Sequence, residues 1–177
     1  VDKTRYKNKQ AKEKLVVKAM VYFQQNGTQN TMSKMANDLS ISKTTIYNHF
    51  NTKQELVLEA TKFKLSIIKD YKSVLDNTSL PYIERYRKSM LFFCVQIFDV
   101  SSNFLEDIEN DFPIAWNLIE EFQHEVYEDL TYYYQEGIEK EVFKANSPEL
   151  LTVSDQYFFT FLSTQIFLKK HAISVLD

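Results

Sequence analysis

The chain has 177 residues, 44% of them hydrophobic and 25% charged, with a formal net charge of −3. That length suits one domain, or one small and one medium domain, and the single Cys94 excludes an internal disulfide framework and fits a reducing cytoplasm. The most apolar run, residues 90–98 with Gln96 inside it, is too short to span a bilayer. Two glycines and three prolines leave few turn signals, and few runs alternate as strands do, so the expected fold is all-helical. The net charge conceals an asymmetry: residues 1–53 carry +7 and residues 54–177 carry −10. A basic first third joined to an acidic remainder points to a polyanion as partner of the first third alone. The basic, polar N-terminus contains no apolar signal segment, and its start at Val1 rather than Met fits a chain with native residues ahead of it.

Lys3, Arg5, Lys7, Lys9 and Lys12 form a basic arm suited to phosphate or minor-groove contact. A first helix is expected over residues 8–25, burying Leu15, Val16, Ala19, Met20 and Phe23, with Asn26–Gly27 as its C-terminal cap. Thr31 and Ser33 can cap the next helix, whose Met32, Met35, Ala36 and Leu39 fall on one face. Ser40, Ile41 and Ser42 interrupt it, Ile41 as an apolar plug and Ser42 as cap of a third helix. In that helix Ile46 and Phe50 face inward, while Lys43, Thr44, Tyr47 and Asn48 face out. The outward face offers a cation, hydroxyls, a phenol and an amide, and no carboxylate. This chemistry suits a helix entering a major groove.

Residues 31–58 resemble the DNA-binding motif of TetR (tetracycline-repressor) family transcription regulators. The run IYNHF followed by Lys53 and Leu56 matches the motif's end, and TMSKMANDLSIS matches its second helix and turn. The family usually has Gly at the turn, where this chain has Ser40; a left-handed backbone there would cost a non-glycine residue on the order of 1 kcal/mol. The resemblance implies a three-helix DNA-binding domain over residues 1–53, followed by a helical regulatory and dimerisation domain over residues 54–177. It also implies phosphate contacts from Tyr47, His49 and Lys53, with Lys43, Thr44, Thr45 and Asn48 as candidates for base edges and Thr31 and Ser42 completing the interface. Operator DNA is the implied partner.

Further along, Thr52 and Glu55 have capping-box spacing. A long helix over residues 52–75 is expected to carry Leu56, Ala60, Phe63, Ile67, Tyr71 and Val74 on one stripe and to join the two domains as one rigid element. Residues 76–79 form a turn, and each proline stands where a helix can begin. Pro81 opens a helix to about residue 100, apolar nearly all round and therefore central. A short acidic helix covers residues 103–110. Pro113 opens a long helix to about residue 136, with Ala115, Ile119, Phe122, Val126, Leu130 and Tyr133 on one stripe and Gly137 near its end. Ser147, Pro148 and Glu149 start the last helix, which carries Leu151, Phe158, Leu162 and Ile166 and runs to about residue 170.

Glu121 and His124 show the Glu-x-x-His spacing of di-iron bundles, but no second such pair exists and a solvated face explains them better. A helical carboxylate metalloprotein is thus the weaker reading from a different class. Cys94 reads as a small buried hydrophobe, and Glu106, Asp107, Glu109 and Asp111 as solvated charge. No nucleophile–base order or glycine-rich phosphate loop stands out, so neither an enzyme nor a cofactor is expected. Aromatic residues crowd the second domain, and Tyr132, Tyr133 and Tyr134 step about 100° apart on a helix, so they cannot share one face. With Gln96 and Gln123, the residues Phe93, Trp116, Tyr127, Tyr134 and Phe158 are candidates to line a small-molecule site. Its ligand would be apolar or aromatic, with an organic cation second because the acidic residues read as exposed. The alternative is the same fold governed by a protein partner. Excess apolar surface on the last two helices implies a homodimer.

Overall fold

The computed structural model describes residues 3–98, 102–144 and 147–163, and those residues are all-α. The helices are α1 (Lys3–Asn26), α2 (Met32–Asp38), α3 (Lys43–Tyr47), α4 (Lys53–Ile68), α5 (Tyr71–Leu75), α6 (Tyr82–Phe98), α7 (Ser102–Asp111), α8 (Pro113–Glu139) and α9 (Pro148–Ser163). They fall into two compact units, one from Val1–Ser66 with Asn103–Ile119 and one from Ile67–Ser102 with Glu120–Asp177.

The first unit is built on α1. Leu15, Val16, Ala19, Met20 and Phe23 are buried as their spacing requires, together with Tyr22. Gly27, at φ 67°, stops the helix in the left-handed conformation that glycine adopts without strain. Met32, Met35 and Ala36 of α2, Ile46 and Phe50 around α3, and Leu56, Val57 and Ala60 of α4 complete the buried set with Phe104 and Ile108 of α7. Full burial of a side chain such as Phe50 is worth about 1.5–3 kcal/mol. Tyr22 ties α1 to α2, its hydroxyl donating to Asp38 at 2.8 Å and accepting from Asn30 at 3.0 Å.

Two expectations about this part are corrected. The basic residues up to Lys12 do not form an arm: α1 begins at Lys3, so from there on they are helical. The acidic α7 is not simply solvated, since Asp107 and Asp111 carry hydrogen bonds from the α1–α2 loop.

The expected single helix over residues 52–75 is two helices, α4 and α5. Around Lys69–Asp70 the backbone switches to tighter bonds three residues apart, from Asp70 to Ile67, Lys72 to Lys69 and Ser73 to Asp70. The cause lies in long-range partners: Ser89 donates its hydroxyl to the Tyr71 carbonyl at 2.8 Å, and the Tyr71 hydroxyl reaches Asp129 at 2.6 Å. Lys72 adds a second bond to Asp129 at 2.7 Å. Ala115, Ile119, Phe122, Val126, Leu130 and Tyr133 of α8 are all buried, as expected. Gly137 lies inside α8, where a Cβ would come within 2.4 Å of the Phe143 ring; it is there for close packing. The helix ends at Glu139, and the left-handed residue that follows it is Glu141, φ 58°. The α6 helix is one-sided rather than central, with Met90 and Phe93 buried but Leu91 and Val95 exposed. The expected end of α9 near residue 170, with Leu162's side chain and Ile166, lies outside the described residues.

Candidate nucleic-acid interface

The α2–turn–α3 segment is assembled from local signals. Thr31 caps α2 by accepting from the Lys34 N–H at 3.1 Å. At the other end Ser40 adopts φ 54°, the left-handed conformation suspected from the sequence. Around it the Ile41 N–H bonds to the Ala36 carbonyl at 2.9 Å and the Ser40 N–H to Asn37 at 3.0 Å, a Schellman pairing that normally takes glycine at the Ser40 position. Ser42 then caps α3, accepting from the Thr45 N–H at 3.0 Å, with the two hydroxyls 2.7 Å apart. A helix of five residues has no stability of its own. This one is held by that cap, worth about 1 kcal/mol, and by Ile46 and Phe50, both fully buried.

Inward burial of those two residues turns the rest of the segment outward. Ser42, Lys43, Thr44, Thr45, Tyr47 and Asn48 are exposed, as is Thr31, while His49 is half-buried. The structure therefore gathers the exposed candidates on one short segment. Thr45 is the qualified one, because its hydroxyl is already engaged by Ser42. Thr52 caps α4 through the Glu55 N–H at 3.1 Å; the Glu55 carboxylate returns to the Asn51 N–H at 3.0 Å, one residue earlier than a regular capping box.

Two lysines flank this segment. Lys12 of α1 places its ammonium 4.9 Å from the centroid of the Phe50 ring, beside the end of the α3 segment. No local signal in the sequence pairs these residues. Lys53 is half-buried, its ammonium 5.7 Å from the centre of the Phe112 ring. Burial lowers its pKa, against the opposing pull of Asp107 and Asp111.

The candidate ligand residues lie in different settings. Phe93 is buried and meets the Tyr71 ring edge-on at 5.6 Å and the Phe122 ring at 6.3 Å. Tyr134 is buried in a second ring cluster with Tyr86, Tyr133 and Phe143. Gln96 and Tyr127 are half-buried, Gln123 and Phe158 are exposed, and Trp116 is half-buried within the first unit. In the second cluster Arg85 lies over the Tyr82 ring at 4.3 Å, with Glu136 3.6 Å away. Asp155 departs from the expectation of exposed acids: it is half-buried and accepts from Tyr86 at 2.8 Å and from Tyr134 at 2.6 Å. Burial raises its pKa although both hydroxyls act to lower it.

Cys94 is half-buried, and burial pushes its thiol up to about 11, away from the reactive thiolate. His124 faces solvent with Glu128 at 3.4 Å. Among the described residues no three His, Cys, Asp or Glu side chains converge on a metal position, and no helix is long and apolar enough to cross a membrane.

Residues 15–60 match the family model of bacterial regulatory proteins, tetR family. No curated protein matches the chain in sequence. In fold, the chain is similar to the TetR family transcriptional regulator PfmR from Thermus thermophilus, with TM-score 0.70, 18% identity and 84% of each chain covered. It is similar to AibR in complex with isovaleryl coenzyme A and operator DNA, with TM-score 0.65, 14% identity, and 89% of this chain and 85% of that one covered. It also resembles BioQ with its double-stranded DNA operator, with TM-score 0.51, 15% identity, and 89% and 92% covered.

Proposed function

We propose that this chain, whose residues 15–60 match the family model of bacterial regulatory proteins, tetR family, is a homodimeric cytoplasmic transcription repressor released from its operator by a small molecule. The observation that carries the DNA-binding part is the exposed, carboxylate-free face of α3 standing over a fully buried Ile46 and Phe50. In this reading residues 1–53 bind DNA and residues 54–177 regulate and dimerise. Lys43, Thr44, Thr45 and Asn48 face base edges, Tyr47, His49 and Lys53 meet phosphates, and Thr31 and Ser42 border the backbone.

One short recognition helix makes few contacts, so a second copy is needed to read a paired half-site. Ile114 and Tyr132 on α8 and Leu150, Tyr157 and Phe158 on α9 are large, exposed and apolar, which supports these helices as the dimer surface. The ligand is apolar or aromatic and is sought among Phe93, Gln96, Trp116, Gln123, Tyr127, Tyr134 and Phe158. AibR, a protein of similar fold, is known in complex with an acyl coenzyme A and DNA together, which supports a ligand-responsive reading. To act, the ligand must prefer the DNA-incompetent state. A coupling of roughly 1–3 kcal/mol corresponds to a 5- to 150-fold loss of DNA affinity.

The test is the salt dependence of binding to duplex DNA. Lys53→Ala should weaken binding to every sequence and lower the slope of log affinity against log salt by about one. Unchanged affinity and slope would remove Lys53 from the interface.

A further inference from the structure

The aromatic cluster of the second unit sets rings beside a carboxylate at two places, and the two are filled differently. At one end Arg85 is buried, its guanidinium 4.3 Å from the centroid of the Tyr82 ring and 5.8 Å from that of Tyr133. Glu136 supplies the opposite charge, 3.6 Å from Arg85 and 2.5 Å from Lys140. Rings, carboxylate and resident cations satisfy one another there.

At the other end stand Tyr86, Tyr134 and Asp155. The Tyr86 ring lies 5.8 Å from that of Tyr133 and 5.8 Å from that of Tyr134, and the Tyr134 ring meets Phe143 at 5.3 Å. Both tyrosine hydroxyls donate to the same atom, Oδ2 of Asp155, at 2.8 and 2.6 Å. Among the described residues Oδ1 receives no hydrogen bond, and no lysine, arginine or histidine pairs with the carboxylate. Two hydroxyls orient a negative charge without neutralising it, and a partly buried charge is costly until it is paired. Asp155 and Tyr86 are only half-buried, which leaves this end within reach of solvent.

We propose that Asp155, Tyr86 and Tyr134 form the anchoring end of the small-molecule site, and that its ligand is an organic cation with methyl or aromatic groups around the charge. The inference rests on the reading of the second unit as ligand-responsive. It deepens that reading by putting a positive charge on a ligand otherwise expected to be neutral and apolar. Oδ1 takes the charge and the ring faces take the apolar shell, as Glu136 and the Tyr82 and Tyr133 rings do for Arg85. A quaternary ammonium meets both requirements.

The probe is phenyltrimethylammonium, set against its neutral isostere tert-butylbenzene, each titrated into the full wild-type chain and followed by intrinsic fluorescence. The cation should bind about tenfold more tightly or better. Asp155→Asn keeps an oxygen for a tyrosine hydroxyl and removes the charge; it should erase the preference, and Asp155→Glu should restore part of it. Glu121→Gln removes an equal charge from an exposed position of α8 and should leave the preference intact. Because the wild-type preference needs no variant, it decides the matter even where a substitution unfolds the chain.

The inference is overturned if phenyltrimethylammonium binds wild type no more tightly than tert-butylbenzene. It is equally overturned if the preference survives Asp155→Asn in a folded chain, or if Glu121→Gln abolishes it too, because the ion would then answer only to general negative charge. Failure of the underlying reading looks different. A cation bound through Asp155 that leaves affinity for a duplex selected by the wild type unchanged keeps the site and removes the switch. A neutral apolar compound that releases DNA while phenyltrimethylammonium does not bind keeps the switch and removes the cation site.

Discussion

Asp107 in the first unit and Asp155 in the second each accept hydrogen bonds from residues distant in sequence, yet their carboxyls shift in opposite directions. Asp107 receives two N–H donors and a hydroxyl and has a lysine nearby, which together outweigh its burial. Asp155 receives two tyrosine hydroxyls, and burial prevails. The first unit favours its carboxylate ionised; the second tolerates a charge it would be easier to protonate. The difference follows from what surrounds each group, caps, amides and cations in one unit and stacked aromatic rings in the other. The proposed DNA-facing role suits the first environment, and the proposed regulatory role suits the second.

The largest effect is expected at the exposed apolar surface of the second unit. Phe158 is 56% exposed and Tyr157 75% exposed on α9. Phe158→Arg should produce monomers in sedimentation experiments and lower specific DNA affinity by roughly 10²-fold or more, as expected when two linked half-site contacts become one. A wild-type chain that sediments as a monomer at micromolar concentration would count directly against the dimer.

A smaller effect is expected in the first unit at Ser40. Its φ of 54° is a conformation that glycine holds without strain. Ser40→Gly should stabilise the fold by about 1 kcal/mol or less in chemical denaturation, the relief of strain being partly offset by a more flexible unfolded chain. Destabilisation instead would show that the serine is not strained there.

The smallest effects concern pH and sharpen the contrast between the two acids. The folded pKa of Asp107 lies below its ordinary value of 3.8, so its contribution is full above that value and is lost as pH falls through the folded one. The folded pKa of Asp155 lies above 3.8, so the stability it contributes is full below that value and is lost as pH rises through the folded one. Thermal melts across the acid range should therefore diverge. On acidification, wild type should gain stability relative to Asp155→Asn and lose it relative to Asp107→Asn. Parallel curves for the two variants would remove the contrast.

The two units also differed in how much their sequence disclosed. The caps at Thr31 and Ser42, the inward pair Ile46 and Phe50 and the strained Ser40 could be read because each is decided within a few residues of itself. The α8 stripe was legible for the same reason, one period sustained over a long helix. The break at Lys69–Asp70 was not, because Ser89 and Asp129 cause it from far along the chain while the apolar period runs on unbroken. The role of Asp107 was hidden likewise, since an acidic residue on a short acidic helix looks solvated until Thr28 is brought to it. The sequence shows Lys12 as basic, but only the fold sets it over Phe50. The central position expected for α6 failed because composition counts apolar residues without saying which of them a monomer covers; Leu91 and Val95 stay exposed.

If the exposed face of α3 reads DNA sequence, as proposed, selection of duplexes from a randomised pool should reveal it when wild type is run beside Asn48→Ala. Wild type should enrich two symmetric half-sites roughly 34–36 Å apart. The variant should retain that layout while losing preference at one or two base pairs in each half, a loss of about 1–3 kcal/mol of discrimination. No enriched sequence for wild type, or an identical preference at every base pair for the variant, would contradict the claim.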